Sequence, residues 1–152
     1  MRLVGKGTCL VPSYAEKKVL PYTPQQMFDM VADVGAYPDF LPWCIATSIR
    51  ASSEEELLAD MVIGFKMFRE QFTSRVTLER PSLIHVEYED GPFKYLKNHW
   101  KFESDSGGCL VDFSVEFEFR SHILEMTIGK VFTEAAHRMV SAFEKRAHSL
   151  YG

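Results

Sequence analysis

The segment Gly91–Phe102, GPFKYLKNHWKF, reads as a turn followed by a strand with two different faces. Apolar positions alternate with basic ones, and the apolar face carries Leu96, Trp100 and Phe102. Asn98 breaks the pattern because it lies on the apolar face. A polar group that faces an apolar interior must be hydrogen-bonded or the fold loses stability. Small-molecule pockets are often tuned by such isolated polar positions. The segment therefore predicts a sheet with a binding cavity rather than a plain core.

The same two-residue period runs through most of the chain from Cys44 to Phe119. Apolar residues alternate with polar ones, as in an antiparallel sheet with one face in water. Seven strands are predicted: 14–20, 45–51, 57–65, 68–79, one around 84–88, one through 96–102, and 111–119.

Two helical segments flank this sheet. Thr23, Pro24 and Gln26 form a capping-box pattern at the start of a first helix. Apolar residues recur at three- and four-residue steps from Ser121 to about Leu150, which predicts one long C-terminal helix. The sheet needs a cover for its apolar face, and this helix is the only large one. The sequence thus predicts an α+β fold in which a curved sheet wraps around a long helix and leaves space between them.

Composition limits the class of protein. The 152 residues suit one domain, and the contents of 46% hydrophobic and 25% charged residues indicate a globular chain. A net charge of −4 argues against a protein that coats nucleic acid, and no DNA partner is expected. We predict a loosely attached tail at residues 1–14 and a domain at 15–152. With no signal peptide or apolar run of membrane-spanning length, a cytoplasmic protein is expected, with contact at the inner membrane as a further option.

Three blocks of sequence resemble one family. Pro21–Val34 with Tyr37–Cys44 is similar to the opening signature of the coenzyme Q-binding START-domain family. Gly91–Phe93 through Phe102 resembles its second signature, and Phe117–Ser121 its third. The resemblance covers about residues 16 to 150. It implies the helix-grip fold that START lipid-transfer domains share with the birch-pollen-allergen group.

The resemblance also implies function. It points to binding of ubiquinone or a related polyprenyl lipid, as a carrier that supports respiratory electron transfer, with no cofactor required beyond the bound quinone. The same family includes ribosome-association toxins, so binding to the large ribosomal subunit and blocking of subunit joining is the alternative. Its label of polyketide cyclase or dehydrase leaves an enzyme as a third possibility.

The predicted ligand site lies between the sheet and the long helix. Its inward polar residues are Glu70, Ser74 and Asn98, which could bond a quinone head group. The apolar lining is Phe72, Val76, Tyr88, Phe93, Trp100, Phe113, Val115, Phe117, Ile128, Val131, Phe132, Ala135 and Met139. An apolar entrance that touches a membrane is predicted from Phe40, Leu41, Trp43, Phe65, Lys66, Met67, Phe68 and Lys94.

Signals for catalysis or metal binding are weak. The chain has no nucleophile elbow, no H-E-x-x-H and no phosphate-binding glycine loop. The three cysteines lack a C-x-x-C, and the five histidines share no metal-ligand spacing. We therefore expect neither a catalytic residue nor a metal site. Arg69, Arg75, Lys97 and Lys101 point outward, but acidic residues alternate with them, which favours ion pairs over an RNA-binding face.

Overall fold

The computed structural model describes residues 2–6, 9–65, 68–123, 126 and 132–152. Eight strands form a single antiparallel sheet in the order β1-β2-β8-β7-β6-β5-β4-β3. The strands are β1 (Arg2–Lys6), β2 (Cys9–Leu20), β3 (Cys44–Ser52), β4 (Glu56–Phe65), β5 (Phe68–Glu79), β6 (Leu83–Asp90), β7 (Phe93–Asp105) and β8 (Gly108–Phe119). The helices are α1 (Pro24–Ala32), a 3-10 helix (Val34–Asp39) and α2 (Phe132–Tyr151).

The predicted helix-grip architecture is confirmed, and all seven predicted strands are present. In the segment 1–14, for which a loosely attached tail is predicted, a further strand β1 pairs with the first part of β2 as a hairpin at the sheet edge. Arg2 pairs with Ser13 and Lys6 with Cys9 in this hairpin. Backbone pairing with a neighbouring strand can hold such a segment even where its apolar pieces are short, as they are here.

The start of α1 follows the predicted capping box. The Thr23 hydroxyl accepts a hydrogen bond from the Gln26 backbone N–H at 3.1 Å. The Gln26 side chain in turn accepts from the Thr23 backbone N–H at 3.0 Å. Two backbone donors that the helix itself cannot satisfy are thus paired. The cap holds Met27, Phe28 and Val31 in the core, where each is almost fully buried.

Replacing Thr23 with Ala should lower the free energy of unfolding by about 1 kcal/mol, because the Gln26 N–H loses its acceptor. Guanidinium unfolding monitored by circular dichroism measures this loss. Thr23→Ser keeps the hydroxyl and serves as the matched control, so a serine variant as weak as the alanine variant would contradict the capping argument.

The helix α2 lies against the inner face of the sheet. Phe143 and Ala147 on this helix are buried in the main core cluster. The Phe143 ring packs 4.9 Å from the Trp100 ring of β7. At the sheet edge, Lys18 of β2 donates to Glu144 at 2.6 Å. Residues 122, 123 and 126 are also helical, while the remainder of the predicted helix between Ser121 and Phe132 lies outside the described residues. Within the described part of the chain, no helix has the length and apolar content to cross a bilayer.

The outer face of the sheet carries a polar cluster around Asp60 of β4. Its carboxylate accepts from the Thr73 hydroxyl at 2.5 Å and from Arg50 Nε at 2.6 Å. Thr73 sits directly across from Asp60 on β5 and is buried. The hydrogen bond from Thr73, followed by that from Arg50, holds the pKa of Asp60 below its usual value.

This lowered pKa gives a pH dependence with a definite sign. A carboxyl that is more acidic when folded contributes stability above its unfolded pKa of about 3.9, and that contribution is lost as pH falls through the folded pKa. Urea unfolding between about pH 5 and pH 2 should therefore show a steeper loss for the wild type than for Asp60→Asn. Glu54→Gln, at an exposed turn, is the control and should follow the wild type. Identical slopes for wild type and Asp60→Asn would contradict the assignment.

Candidate functional site

A cavity of about 290 Å³ lies between the inner face of the sheet and α2. Strands β4 to β8 supply one wall, α2 supplies the other, and the segment from the 3-10 helix to the start of β3 closes one end. Alternation along the strands explains the wall, because every second residue of each strand faces inward. Phe72, Ser74 and Val76 of β5 enter the wall in this way.

The described wall of this cavity carries no Asp, Glu, Lys, Arg or His. Its polar side chains are uncharged: Tyr37, Trp43, Cys44, Ser74, Asn98 and Trp100. Ser74 is only 6% exposed and brings a hydroxyl to a surface that is otherwise aliphatic and aromatic. A charge placed in this space would lose its hydration without gaining a partner from the described wall.

Asn98 is the polar residue that the strand pattern singled out. Its side-chain nitrogen donates to the Ser114 carbonyl at 2.8 Å, and its side-chain oxygen accepts from Trp100 Nε1 at 3.1 Å. These two bonds hold the Trp100 indole in position and leave one amide N–H of Asn98 for a further partner. Asn98 thus has a structural role within the wall as well as capacity for a ligand acceptor.

Two titratable groups in the wall are neutral at physiological pH. Burial raises the pKa of the Cys44 thiol to about 11. Burial also raises the pKa of Tyr37, whose hydroxyl donates to the Val31 carbonyl. A thiol that stays protonated is a poor nucleophile. Neither group therefore adds charge or an activated nucleophile to the cavity.

The cavity wall also includes Leu41, Pro42, Trp43 and Gly64. Trp43 adopts a left-handed backbone with φ of 67°, which is rare for a bulky residue. The Trp43 carbonyl accepts a hydrogen bond from the Gly64 N–H at 2.8 Å. This bond joins the segment that precedes β3 to the end of β4. This bond closes the gap between the segment that follows α1 and the sheet.

Many of the residues predicted to contact ligand lie on this wall, although the contact itself stays a prediction. The wall includes Phe72, Ser74, Val76, Phe93, Asn98, Trp100, Val115, Phe117, Ala135 and Met139, together with Leu41 and Trp43 of the predicted entrance. Ile128, Val131, Lys66 and Met67 lie outside the described residues, as do the side chains of Phe65, Phe68 and Phe132.

Three predicted lining residues do not line the cavity. Tyr88 packs against the Phe93 ring at 5.5 Å, and Phe113 packs against the Trp100 ring at 4.6 Å. Each thus contacts a residue of the described wall without being part of that wall. Glu70 is partly exposed near the start of β5 and is absent from the wall. The carboxylate proposed for a quinone head group, or for a cyclase reaction, is thus not in the cavity.

Two predicted entrance residues have other partners. The Phe40 ring packs against Phe143 at 5.2 Å, and the Arg146 guanidinium lies 5.1 Å from the Phe40 ring centre. Phe40 therefore joins the edge of the core. Lys94 is exposed and forms an ion pair with Glu118 at 3.1 Å, so its charge is already matched by a neighbouring carboxylate.

Sequence reasoning missed a group of wall residues: Val34, Tyr37, Pro42, Cys44, Ala59, Met61, Ile63, Gly64, Ile84, Val86, Leu96, Phe119 and Phe143. The period-two pattern of β4 contained a usable signal, since Ala59, Met61 and Ile63 alternate with polar or outward residues. No comparable periodic pattern in the sequence indicated that residues of the 3-10 helix line the cavity.

Residues 20–144 match the family model described as "Polyketide cyclase / dehydrase and lipid transport". The match spans β3 to β8, α1, the 3-10 helix, the first part of α2 and all the described wall residues of the cavity. The chain belongs to this family.

Curated relatives of this chain in the polyketide cyclase / dehydrase and lipid transport family include proteins with two different kinds of name. The chain is 41% identical over 139 residues to "Ribosome association toxin RatA" of Rickettsia prowazekii, covering 89% of this chain and 95% of the relative. It is 35% identical over 136 residues to "Coenzyme Q-binding protein COQ10, mitochondrial" of Drosophila melanogaster, covering 86% of this chain and 56% of that protein.

Solved structures share the fold of this chain. The solution structure of the 18 kDa protein CC1736 from Caulobacter crescentus is 36% identical, with a TM-score of 0.75 over 93% of this chain and 99% of that one. The Zhui aromatase/cyclase from a Streptomyces species has a TM-score of 0.80 over 91% of this chain and 94% of that one, at 13% identity. The latter likeness shows the fold alone.

Proposed function

We propose that this chain binds a neutral polyprenyl lipid with a ring head group, of which ubiquinone is the type, and carries it in support of respiratory electron transfer. The observation that carries the proposal is the apolar, charge-free cavity between the sheet and α2. A relative named as a coenzyme Q-binding protein supports the same class of ligand.

The wall chemistry selects the ligand class. Burial of apolar ligand surface contributes about 25 cal/mol per Å². Ser74 can donate to or accept from a ring oxygen, and the remaining Asn98 N–H can donate to a carbonyl or methoxy oxygen. A phosphate or carboxylate head group would enter a wall whose described residues offer no cation. The cavity therefore favours a neutral quinone over an anionic lipid.

The cavity volume limits how much of the ligand is enclosed. Small-molecule sites commonly measure about 300–1,000 Å³, and this one lies at the lower end. A ring head group with the first isoprenoid units suits this space, whereas a long polyprenyl tail exceeds it. The remainder of such a tail would extend outside the cavity.

Ligand uptake from liposomes tests this proposal directly. Purified protein is incubated with vesicles containing ubiquinone, and the protein fraction is then extracted and analysed by mass spectrometry. We expect about one quinone per chain and at least about a hundredfold weaker uptake of a polyprenyl phosphate, because an unpaired buried charge costs several kcal/mol. Equal uptake of both lipids, or of neither, would contradict the proposal. Extraction of the protein from its own host identifies the natural head group.

Association with the large ribosomal subunit is the second candidate function. It is supported by relatives named "Ribosome association toxin RatA", at 41% and 36% identity in Rickettsia prowazekii and Pseudomonas aeruginosa. The outer sheet face gives less support, because Arg75 forms ion pairs with Glu56 and Glu89. Cosedimentation with isolated large subunits, in the presence and absence of bound quinone, tests this candidate. If the chain associates with the large subunit, it should pellet with those subunits at a stoichiometric ratio.

A further inference from the structure

His85 and His99 form a close pair on the outer face of the sheet. They are direct cross-strand partners on β6 and β7. Their ring centres are 4.1 Å apart, and the two Nδ1 atoms are 3.1 Å apart. Their neighbour Asn98 faces the cavity, so alternation places His99 on the opposite side of the sheet. The pair is therefore separate from the cavity and needs its own explanation.

The distance between the two Nδ1 atoms matches that between two imidazole nitrogens bound to one metal ion. Metal–nitrogen bonds to imidazole are about 2.0–2.1 Å long, so two such nitrogens on one ion stand about 2.8–3.4 Å apart in square-planar or tetrahedral geometry. The observed 3.1 Å lies within this range. The distance is therefore compatible with both rings coordinating one ion, provided that the rings turn so that both Nδ1 lone pairs face it.

Glu87 orients one of the two ligands. Its carboxylate lies 2.8 Å from His85 Nε2 and accepts the hydrogen of that nitrogen. A hydrogen on Nε2 leaves the lone pair of His85 Nδ1 directed at His99. Metal-binding histidines commonly make this carboxylate contact through the other ring nitrogen. In the metal-free pair His99 Nδ1 carries the shared hydrogen, which must move to His99 Nε2 when an ion takes its place.

The surroundings suit a divalent ion held by two protein ligands. Thr77 is the cross-strand partner of His85, and Ser114 is that of His99. Lys97 and Glu116 form the neighbouring cross-strand pair on β7 and β8. A neutral imidazole is the form that binds metal. Within the described residues, no group of three or more His, Cys, Asp or Glu side chains is arranged to hold a metal.

We propose that His85 and His99 bind one divalent transition-metal ion through their Nδ1 atoms, with Glu87 as a positioning residue and water in the remaining coordination positions. Copper(II) is the preferred ion among those suited to imidazole, because affinities for nitrogen ligands rise to copper and fall again at zinc. Magnesium, which requires oxygen ligands, should not bind.

Calorimetric titration of the full chain with copper(II) sulfate, after treatment with a chelator, tests the site. We expect one ion per chain, and electron paramagnetic resonance should show coupling to two imidazole nitrogens. His85→Gln or His99→Gln should weaken binding at least about tenfold, and Glu87→Gln about tenfold. His148→Gln, on the exposed end of α2, is the matched control and should bind like the wild type.

Three results would overturn the proposal: no binding, equal copper affinity in wild type and both histidine variants, or coupling to fewer than two imidazoles. Circular dichroism verifies that each variant is folded. A zinc titration of the unmodified chain by NMR gives an independent measurement that needs no substitution. Selective shifts of the His85 and His99 ring signals support the site, whereas shifts confined to other histidines contradict it.

Discussion

Ala135→Phe should reduce ubiquinone uptake by at least about tenfold while the protein stays folded. Ala135 on α2 faces the cavity, and a phenyl ring at this position occupies the space that the ligand head group would need. Filling a void usually changes stability little or raises it, since cavity surfaces lack packing partners. The measurement is quinone uptake from liposomes, with the unfolding midpoint recorded on the same preparation.

Ser149→Phe is the matched control for this substitution. Ser149 is exposed near the end of the same helix, so the variant adds the same ring without entering the cavity. Its uptake should equal that of the wild type. A folded Ala135→Phe protein with undiminished uptake would show that quinone binds elsewhere, and the cavity would lose its proposed role.

Trp100→Ala should lower the free energy of unfolding by about 3–5 kcal/mol. The indole is 3% exposed and packs against Phe113 at 4.6 Å and Phe143 at 4.9 Å. Its removal extends the existing cavity into the core and leaves the side-chain oxygen of Asn98 without its donor. A domain of this kind has about 5–15 kcal/mol of stability in total, so the loss is a large fraction. Guanidinium unfolding measures it.

Trp100→Phe separates packing from hydrogen bonding. Phenylalanine retains aromatic contact with Phe113 and Phe143 but cannot donate to Asn98, and a loss of about 1–2 kcal/mol is expected. A loss below 1 kcal/mol for Trp100→Ala would mean that the surrounding rings collapse into the vacated space. Because of its expected effect on stability, Trp100 is a poor position for testing ligand contact.

Strand periodicity and capping chemistry made most of the fold predictable. The bounds of β5 were predicted without error, because its polar and apolar residues alternate from Phe68 to Glu79. Thr23, Pro24 and Gln26 marked the start of α1 because capping depends on local spacing. The hairpin of β1 with β2 was missed, since backbone pairing in that segment does not require a strongly alternating sequence.

Site residues were predictable only where alternation along a single strand determines which face of the sheet the side chain occupies. Asn98 was identified in this way, whereas Glu70 was placed inward by the same alternation and lies off the wall near the start of β5. Tyr88 and Phe113 contact the wall residues Phe93 and Trp100 but are not part of the described wall, a distinction that depends on packing between strands. The His85–His99 pair was hidden for a related reason. Fourteen positions separate the two residues, and only the register of β6 with β7 brings them together.

The charge-free wall has a consequence for how the two candidate functions respond to ionic strength. Electrolyte screens charged contacts, with a Debye length of about 8 Å at 0.15 M. Quinone affinity should therefore be nearly constant as potassium chloride is raised, because the described cavity wall presents no charge to be screened. Contact with ribosomal RNA would release counterions and weaken by orders of magnitude over the same range. One titration with potassium chloride thus distinguishes a lipid held inside the sheet from a nucleic acid held outside it.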